Sequence, residues 1–297
     1  MPQFSLYQEE HHLSPLQFTW MEFKENHVAM AGLFCFMFFV IITIFCPLLA
    51  PFDPNMQQTG DLLIPPAWHP NGGITHLFGT DALGRDLLSR VIYGCRMTFG
   101  ISILLVVTAM LLGVSLGALA GMSRGFRSSF LNHILDSIQA IPTLLIAIII
   151  IAILGPGLVN SMWAIALALI PQFVHQTRDF VRRELNKEYI MAAKLDGAGK
   201  LHIFIRSILP NMGEMLVVQA TLALSVSILD ISALGFLKLG AQAPSSELGA
   251  MLWEGIEVAY MAPWNIAIPG GALFIMMISI NLVGDGLRSA LRNRLLS

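Results

Sequence analysis

"EYIMAAKLDGAGKLHIFIRSILPN", residues Glu188 to Asn211, is a charged, alanine- and glycine-rich insert between two long apolar runs. Its surroundings decide what it can be. The chain has 297 residues, 55% hydrophobic and 12% charged, with a mean hydropathy of +0.70. Soluble domains carry about 25% charged residues. There are too few charges here to cover a globular surface, and lipid must cover much of it. The net charge of -2 goes with no polybasic tail for nucleic acid. Cys35, Cys46 and Cys95 lack metal-ligand spacing and read as small apolar filler. The apolar run nearest the N-terminus is too long for the core of a cleavable signal.

A bilayer core takes about 20 apolar residues per helix. That predicts six spans, at residues 28–50, 97–122, 131–154, 157–174, 212–236 and 263–283. Arginine and lysine collect on the cytoplasmic side of membrane proteins. Arg124 and Arg127 lie between the second and third spans, and Arg288, Arg292 and Arg294 follow the sixth. Arg178, Arg182, Arg183, Lys187, Lys194, Lys200 and Arg206 lie between the fourth and fifth. These groups share one face if both termini are cytoplasmic, and the insert then projects into the cytoplasm. Only Arg85, Arg90, Arg96 and Lys238 fall on the other face.

Outside the spans, "SPLQFTWMEF" (14–23) predicts a short helix along the inner interface, with Ser14 as N-cap, Pro15 at its first position and Leu16, Trp20 and Phe23 on one side. "GTDALGRDLLSRVIYG" (79–94) predicts an outer interfacial helix capped by Thr80, with Asp81–Arg85 and Asp86–Arg90 as i,i+4 pairs. A solvated charged face and a contact surface are both open for it. Residues 52–76, rich in Pro, Asp, Asn and Gly, form an outer loop. Gly113, Gly117 and Gly121, spaced by four, predict close approach of another helix. Pro142 and Pro171 predict kinks.

Acids within a bilayer are costly and face a bundle interior or water. Asp136 reads as an interfacial acid in a packing network. Asp230, near the outer end of the fifth span, is a candidate for the substrate pathway, able to contact a cationic peptide or polyamine; a helix-end acid paired with a neighbour is the alternative. His133 and His175 have no second ligand near in sequence, so no metal site is expected. Asp285 in "GDG" predicts a turn at the inner membrane end.

Within the insert, residues 184–194 read as a helix broken at Gly197 and Gly199. A second helix at 201–209 ends at Pro210. Ala192 and Ala193 present a flat surface, a shape suited to docking in a groove on another protein. The "GAGK" at 197–200 is not a phosphate loop, which needs G-x-x-x-x-G-K-[ST] after a strand. Lys194 stands where the first glycine belongs and Leu201 where Ser or Thr would hold magnesium. The chain therefore shows no ATPase of its own, and its scattered acids and histidines form no catalytic set.

The insert resembles the EAA loop of ABC-importer permease subunits, with Glu188, Ala192, Ala193, Gly197, Leu209 and Pro210 at matching positions. Ser207 departs from it, where isoleucine is common. "FGTDALGRDLLSR" (78–90), "AIPTLLIA" (140–147), "APWNIAIPG" (262–270) and "NLVGDGLRSAL" (281–291) extend the likeness to the dipeptide/oligopeptide permease group. "EEHHLSP", "NHILDSIQAIP" and "ILDISALGFLKLGAQAPSSELGAML" are most similar to permeases of antimicrobial-peptide transport systems.

The resemblance implies an all-α polytopic membrane protein with six transmembrane helices and the type I ABC-importer permease (MetI-like) fold. It implies a multi-pass location in the bacterial inner membrane and an organisation of four parts. These are a cytoplasmic tail with an interfacial helix (1–27), a first span with a periplasmic loop (28–96), a permease core (97–286) containing the coupling loop (184–211), and a C-terminal tail (287–297). Glu188, Ala192, Ala193, Asp196, Gly197, Leu209 and Pro210 would form the ATPase-coupling surface. The implied partners are a second homologous permease, two ATPase subunits and a periplasmic solute-binding protein. No cofactor is expected on this chain; ATP and Mg belong to the ATPases. The implied cargo is peptide, with export of a polyamine such as putrescine as the alternative. A self-sufficient channel or secondary transporter would show matched broken helices in two repeat halves, and no clear internal repeat is present.

Overall fold

A computed structural model of the chain describes residues 15–58, 60–123 and 137–296. Ser14, Arg124, Arg127, His133 and Asp136, and the first residues of the span expected at 131–154, lie outside them. Ten α-helices follow in order among the described residues: α1 Pro15–Glu25, α2 His27–Leu49, α3 Leu87–Met122, α4 Thr143–Leu154, α5 Leu158–Glu184, α6 Glu188–Leu195, α7 Lys200–Ile203, α8 Leu209–Phe236, α9 Leu248–Ile256 and α10 Trp264–Leu296. A π turn, Phe204–Ile208, joins α7 to α8. Five segments are long and apolar enough to cross a membrane: α2, α3, α5, the continuous stretch Lys200–Phe236, and α10. The third expected span, 131–154, holds among the described residues only α4, an apolar helix of 12 residues.

Helices suit lipid because each satisfies its own backbone hydrogen bonds. What distinguishes this bundle is how closely two of them approach. A Cβ built on Gly113 would lie 2.3 Å from Phe173 Cβ, one on Gly117 2.6 Å from the Val174 carbonyl oxygen, and one on Gly121 2.8 Å from Val181 Cβ. The glycine stripe of α3 therefore lies against the backbone of α5. Around this seam Phe99, Leu105, Ala109, Ile165, Leu169, Phe173 and Ile228 are buried in the main apolar core.

The N-terminal helix is held by one aromatic anchor. Phe23 is buried with Ala29, Val283 and Ala290, and Trp20 stacks on it at 5.9 Å. Asn26 then ends α1 and caps α2, its Oδ1 accepting from Val28 and Ala29 N–H groups at 3.1 Å. A Cβ on Gly286 would meet Ala29 Cβ at 2.3 Å. The glycines around Asp285 therefore serve close packing. No turn forms there, and α10 runs through "GDG" as helix.

Other expectations are corrected. Residues 79–86 form no helix; helix begins at Leu87 and continues without interruption into the second span. Its cap is Asp86, which accepts from Ser89 N at 2.7 Å, while Thr80 accepts from Ile64 N at 2.8 Å and pins the preceding loop. A short antiparallel bridge between Thr80 and Asp86 folds the segment into a turn, with Gly79 and Gly84 at φ +81° and +72°. Glycine reaches that left-handed region without steric penalty. Pro142 sits at the start of α4 rather than within it, where its missing N–H has no helical partner to lose.

Gly117→Val should lower stability by about 1–3 kcal/mol, because the added atoms meet backbone that cannot move alone. Gly271→Ala, on α10 with nothing within 4 Å of its Cβ position, should be neutral or stabilising by up to about 1 kcal/mol. Thermal unfolding of both variants in one detergent checks the contrast.

Candidate functional site

The insert has its own small core. Val181 from the end of α5, Ile190 from α6, Ile203 from α7 and Ile208 from the π turn are buried together, with Met122 of α3 packed against them. A polar clasp reinforces it. Glu184, nearly buried at the last position of α5, accepts a short hydrogen bond from the Tyr189 hydroxyl and an ion pair from Lys187 Nζ at 3.0 Å. Asn211 Nδ2 donates to the Tyr189 hydroxyl at 3.2 Å and to the Ser207 carbonyl at 2.9 Å. Burial and the Glu184 hydrogen bond push the Tyr189 hydroxyl above its ordinary pKa. The clasp joins the end of one span, the first turn of α6 and the first turn of α8.

Helix α6 ends in a Schellman motif. Gly197 N donates to the Lys194 carbonyl at 3.1 Å and Ala198 N to the Ala193 carbonyl at 3.0 Å. Gly197 has φ +83°, and a Cβ there would meet nothing within 4 Å. The need for glycine is thus conformational, not spatial. Helix, not strand, precedes "GAGK".

Pro210 does not end the second insert helix. Proline lacks an N–H and clashes with the carbonyl four residues back. The π turn re-registers the backbone just before it, Leu209 N–H donating to the Phe204 carbonyl five residues earlier. Helix therefore continues from the insert into the span.

Glu188, Ala192, Asp196, Gly197 and Pro210 are exposed, and Ala193 and Leu209 half-buried. Beside them Leu195 is 88% and Leu201 67% exposed, with Met191 and Ile205 also open. These apolar side chains flank the Gly197 turn on a segment that also carries Lys187, Lys194, Lys200, His202 and Arg206. A charged insert is poorly suited to lipid, and exposed apolar side chains grouped on such a segment are a common mark of contact surfaces. Between the clasp and α10 a cavity of about 640 Å³ opens, lined by Tyr189, Asn211, Glu214, Arg288 and Arg292 among others.

The far end of the bundle is built on charge. Asp81 Oδ2 accepts from Arg85 Nε and Arg90 Nη1, both at 2.6 Å. Glu254 Oε2, from α9, accepts from Arg85 Nη2 at 2.7 Å and Arg90 Nη1 at 2.8 Å. Asp81 and Arg85 pair as their spacing suggests, although in a turn. Asp86 pairs instead with His76 Nδ1 at 2.9 Å. Of the two readings left open for this segment, a solvated charged face and a contact surface, the burial of Asp81, Arg85, Asp86 and Arg90 fits the second. Glu247, fully buried, caps α9 through Gly249 N at 2.9 Å and Ala250 N at 2.8 Å, and accepts from Thr98 Oγ1 at 3.0 Å. Burial raises its carboxyl pKa, and these donors oppose the rise. Neither Glu247 nor Glu254 stands out in sequence. The available signal was two acids seven apart in an otherwise apolar segment after the fifth span. Asp230 is buried within α8, its Oδ2 without a hydrogen-bond partner among the described residues, and it lines neither this end's cavity nor the insert's. His175 pairs with Asp179 one turn along α5.

Comparison with known proteins places these features. The family described as "Binding-protein-dependent transport system inner membrane component" matches residues 113–297. The family described as "N-terminal TM domain of oligopeptide transport permease C" matches residues 14–66. The chain is 44% identical over 291 residues to the peptide transport system permease protein SapC of Escherichia coli O6:H1, covering 98% of each. It is 43% identical over 282 residues to the di/tripeptide transport system permease protein DppC of Pseudomonas aeruginosa, covering 95% of this chain and 93% of that one. Its fold is similar to that of a chain in the inward-facing MetNI methionine ABC transporter, at a TM-score of 0.55 and 18% identity, over 69% of this chain and 97% of the other.

Gly197→Ser forces a side chain into the left-handed region at a penalty of about 1–2 kcal/mol and should speed hydrogen exchange at Ala198 roughly fivefold or more. Gly199→Ser, at φ -72° in the cap position of α7, should leave exchange unchanged or slower, because serine is a good cap. Amide exchange of the full chain in lipid nanodiscs measures both.

Proposed function

Because the chain belongs to the family of binding-protein-dependent transport system inner membrane components, with peptide permeases among its relatives, we propose that it forms half of a translocation pathway for peptides and is driven by ATPase subunits docked on its insert. One observation carries the reading. The exposed apolar residues around Gly197 sit on a segment whose interior is packed and clasped to two spans, so force applied at the tip reaches the bundle.

The other half of the pathway is a second, homologous permease. Two ATPases bind and hydrolyse ATP with Mg, and a periplasmic solute-binding protein delivers cargo. Glu188, Ala192, Ala193, Asp196, Gly197, Leu209 and Pro210 make the coupling surface, with Leu195 and Leu201 added to it by their exposure. In this reading the chain crosses the bacterial inner membrane six times with both termini in the cytoplasm, an orientation supported by the arginine and lysine distribution. Peptide cargo is supported by the SapC and DppC relatives, a peptide and a di/tripeptide transport permease. Cationic peptides, antimicrobial ones among them, are favoured by Asp230, a buried acid with an oxygen to spare.

The mechanism uses no chemistry on this chain. Closure of the ATPases around ATP displaces α6. The Val181–Ile190–Ile203–Ile208 core and the Glu184–Tyr189–Asn211 clasp transmit that displacement to α5 and α8. The α3–α5 seam resists sliding, so the helices move together and the pathway opens to the other face.

Reconstitution of the complete transporter in sided vesicles tests this. ATP-driven uptake of a cationic peptide is expected, and Gly197→Val should reduce it at least about tenfold, the scale of a coupling free energy, while insertion in the membrane stays normal. Full uptake by that variant contradicts the coupling role. ATP-driven movement of putrescine in the export direction, with no peptide uptake, contradicts the cargo.

A further inference from the structure

At the end of the bundle opposite the insert lies a cavity of about 460 Å³, within the range of about 300–1,000 Å³ typical of ligand sites. Its walls come from the 79–90 turn, the end of α8, the short helix α9 and the start of α10. Two of its lining side chains are buried and carry polar atoms with no partner among the described residues. Arg90 is 1% exposed. Its Nη1 is taken by Asp81 and Glu254, and its Nε reaches Ser246 Oγ at 3.5 Å, but Nη2 donates to nothing. Asn265 is 4% exposed, and both its Oδ1 and Nδ2 are unpartnered. Both pack against α9. Glu254 binds Arg90, and the adjacent Gly255 lies so close to α10 that a Cβ would come within 2.7 Å of the Asn265 carbonyl. Buried polar atoms left unmatched are costly, and two such side chains lining one cavity point to a ligand that matches them.

The charge inventory restricts that ligand. Arg85, Arg90 and Lys238 face Asp81, Glu254 and Glu257 around the cavity, three positive against three negative groups. Lys238 is further occupied over the Trp253 ring at 4.4 Å. A cavity that is formally neutral gives no net attraction to a free anion or cation. What remains unmatched is a guanidinium donor, an amide donor and an amide acceptor. A peptide group offers the complement, with a carbonyl oxygen for Arg90 Nη2 or Asn265 Nδ2 and an N–H for Asn265 Oδ1.

We propose that this cavity is a main-chain binding site for the transported peptide, in which Arg90 Nη2 and the Asn265 carboxamide hydrogen-bond a peptide group of the cargo without reading its side chains. The proposal rests on the reading of the chain as a peptide permease subunit and adds to it a named contact point. Recognition through the backbone lets one site accept peptides of varied sequence, as strand-addition modes do.

The test uses the full chain in lipid nanodiscs and N-acetyl-trialanine amide, a neutral peptide blocked at both ends. Calorimetric titration should detect binding at millimolar concentration, with hydrogen-exchange protection confined to residues 79–90 and 235–265. Asn265→Leu, of similar volume, should weaken it at least about tenfold, the effect of leaving buried ligand groups unpaired. The same tripeptide with N-methylated peptide bonds should bind the native chain equally poorly, an arm that does not depend on how a variant folds. Equal binding of the methylated and unmethylated probes overturns the proposal, as does undiminished binding to Asn265→Leu. Displacement of the probe by cargo-free solute-binding protein assigns the site to that protein and overturns the cargo assignment. Peptide uptake by the assembled transporter, with no probe bound to the chain, removes the cavity site alone. Probe binding lost in Asn265→Leu, with no peptide moved by the transporter, removes the permease reading and leaves the site.

Discussion

The approach of α3 to α5 along Gly113, Gly117 and Gly121 is the constraint on which the rest depends. With no Cβ on α3, backbone meets backbone over more than two turns. In lipid there is little hydrophobic drive between helices, and dispersion at short range must supply the attraction. This contact fixes α5 lengthwise. The far end of α5 carries Val181 and Glu184, from which the insert core and its clasp are built. Any larger residue in the stripe would displace both together.

The two ends of the bundle solve different problems. The insert end is packed, and Glu184, Tyr189, Lys187 and Asn211 bond one another there. It leaves apolar side chains outside, around a glycine whose conformation rather than size is required. The opposite end buries charges in balanced pairs, Asp81 and Glu254 with Arg85 and Arg90. Such pairs contribute modest net stability, since desolvation offsets most of the attraction, but removing one partner leaves a buried charge exposed to that cost. They fix the geometry of the turn that feeds α3. Unmatched buried atoms occur in several places among the described residues, Thr177 Oγ1 and Asp230 Oδ2 among them, but those of Arg90 and Asn265 line a cavity beside these charges. In the proposed reading, one end receives force and the other a ligand.

Much of this was legible in the sequence because lipid imposes a simple rule. Apolar runs near 20 residues must be helices, and the glycine spacing of four and the insert with its Gly197 break were visible as patterns along one element. Failures came where the decisive contact is distant in sequence. The 79–94 segment carries i,i+4 charge pairs and an apolar stripe, the marks of an amphipathic helix. Yet Arg90 meets Glu254, 164 residues away, and Gly79 and Gly84 take left-handed conformations that turn the chain. Pro210 looked like a helix end because a local rule ignores the π turn that accommodates it. The "GDG" at 284–286 looked like a turn because glycine's freedom and glycine's smallness leave the same letter; only Phe23 and Ala29, across the bundle, distinguish them. Glu247 and Glu254 left only a faint local mark, two acids seven apart.

The central claim is that the insert is the point at which another protein drives this membrane bundle. A photo-crosslinking amino acid placed at Leu195, the most exposed apolar side chain of α6, tests it directly in the assembled transporter. The account predicts one dominant crosslink, to an ATPase subunit, whose yield changes when ATP binds. Crosslinking to lipid alone, or to the solute-binding protein, would contradict it.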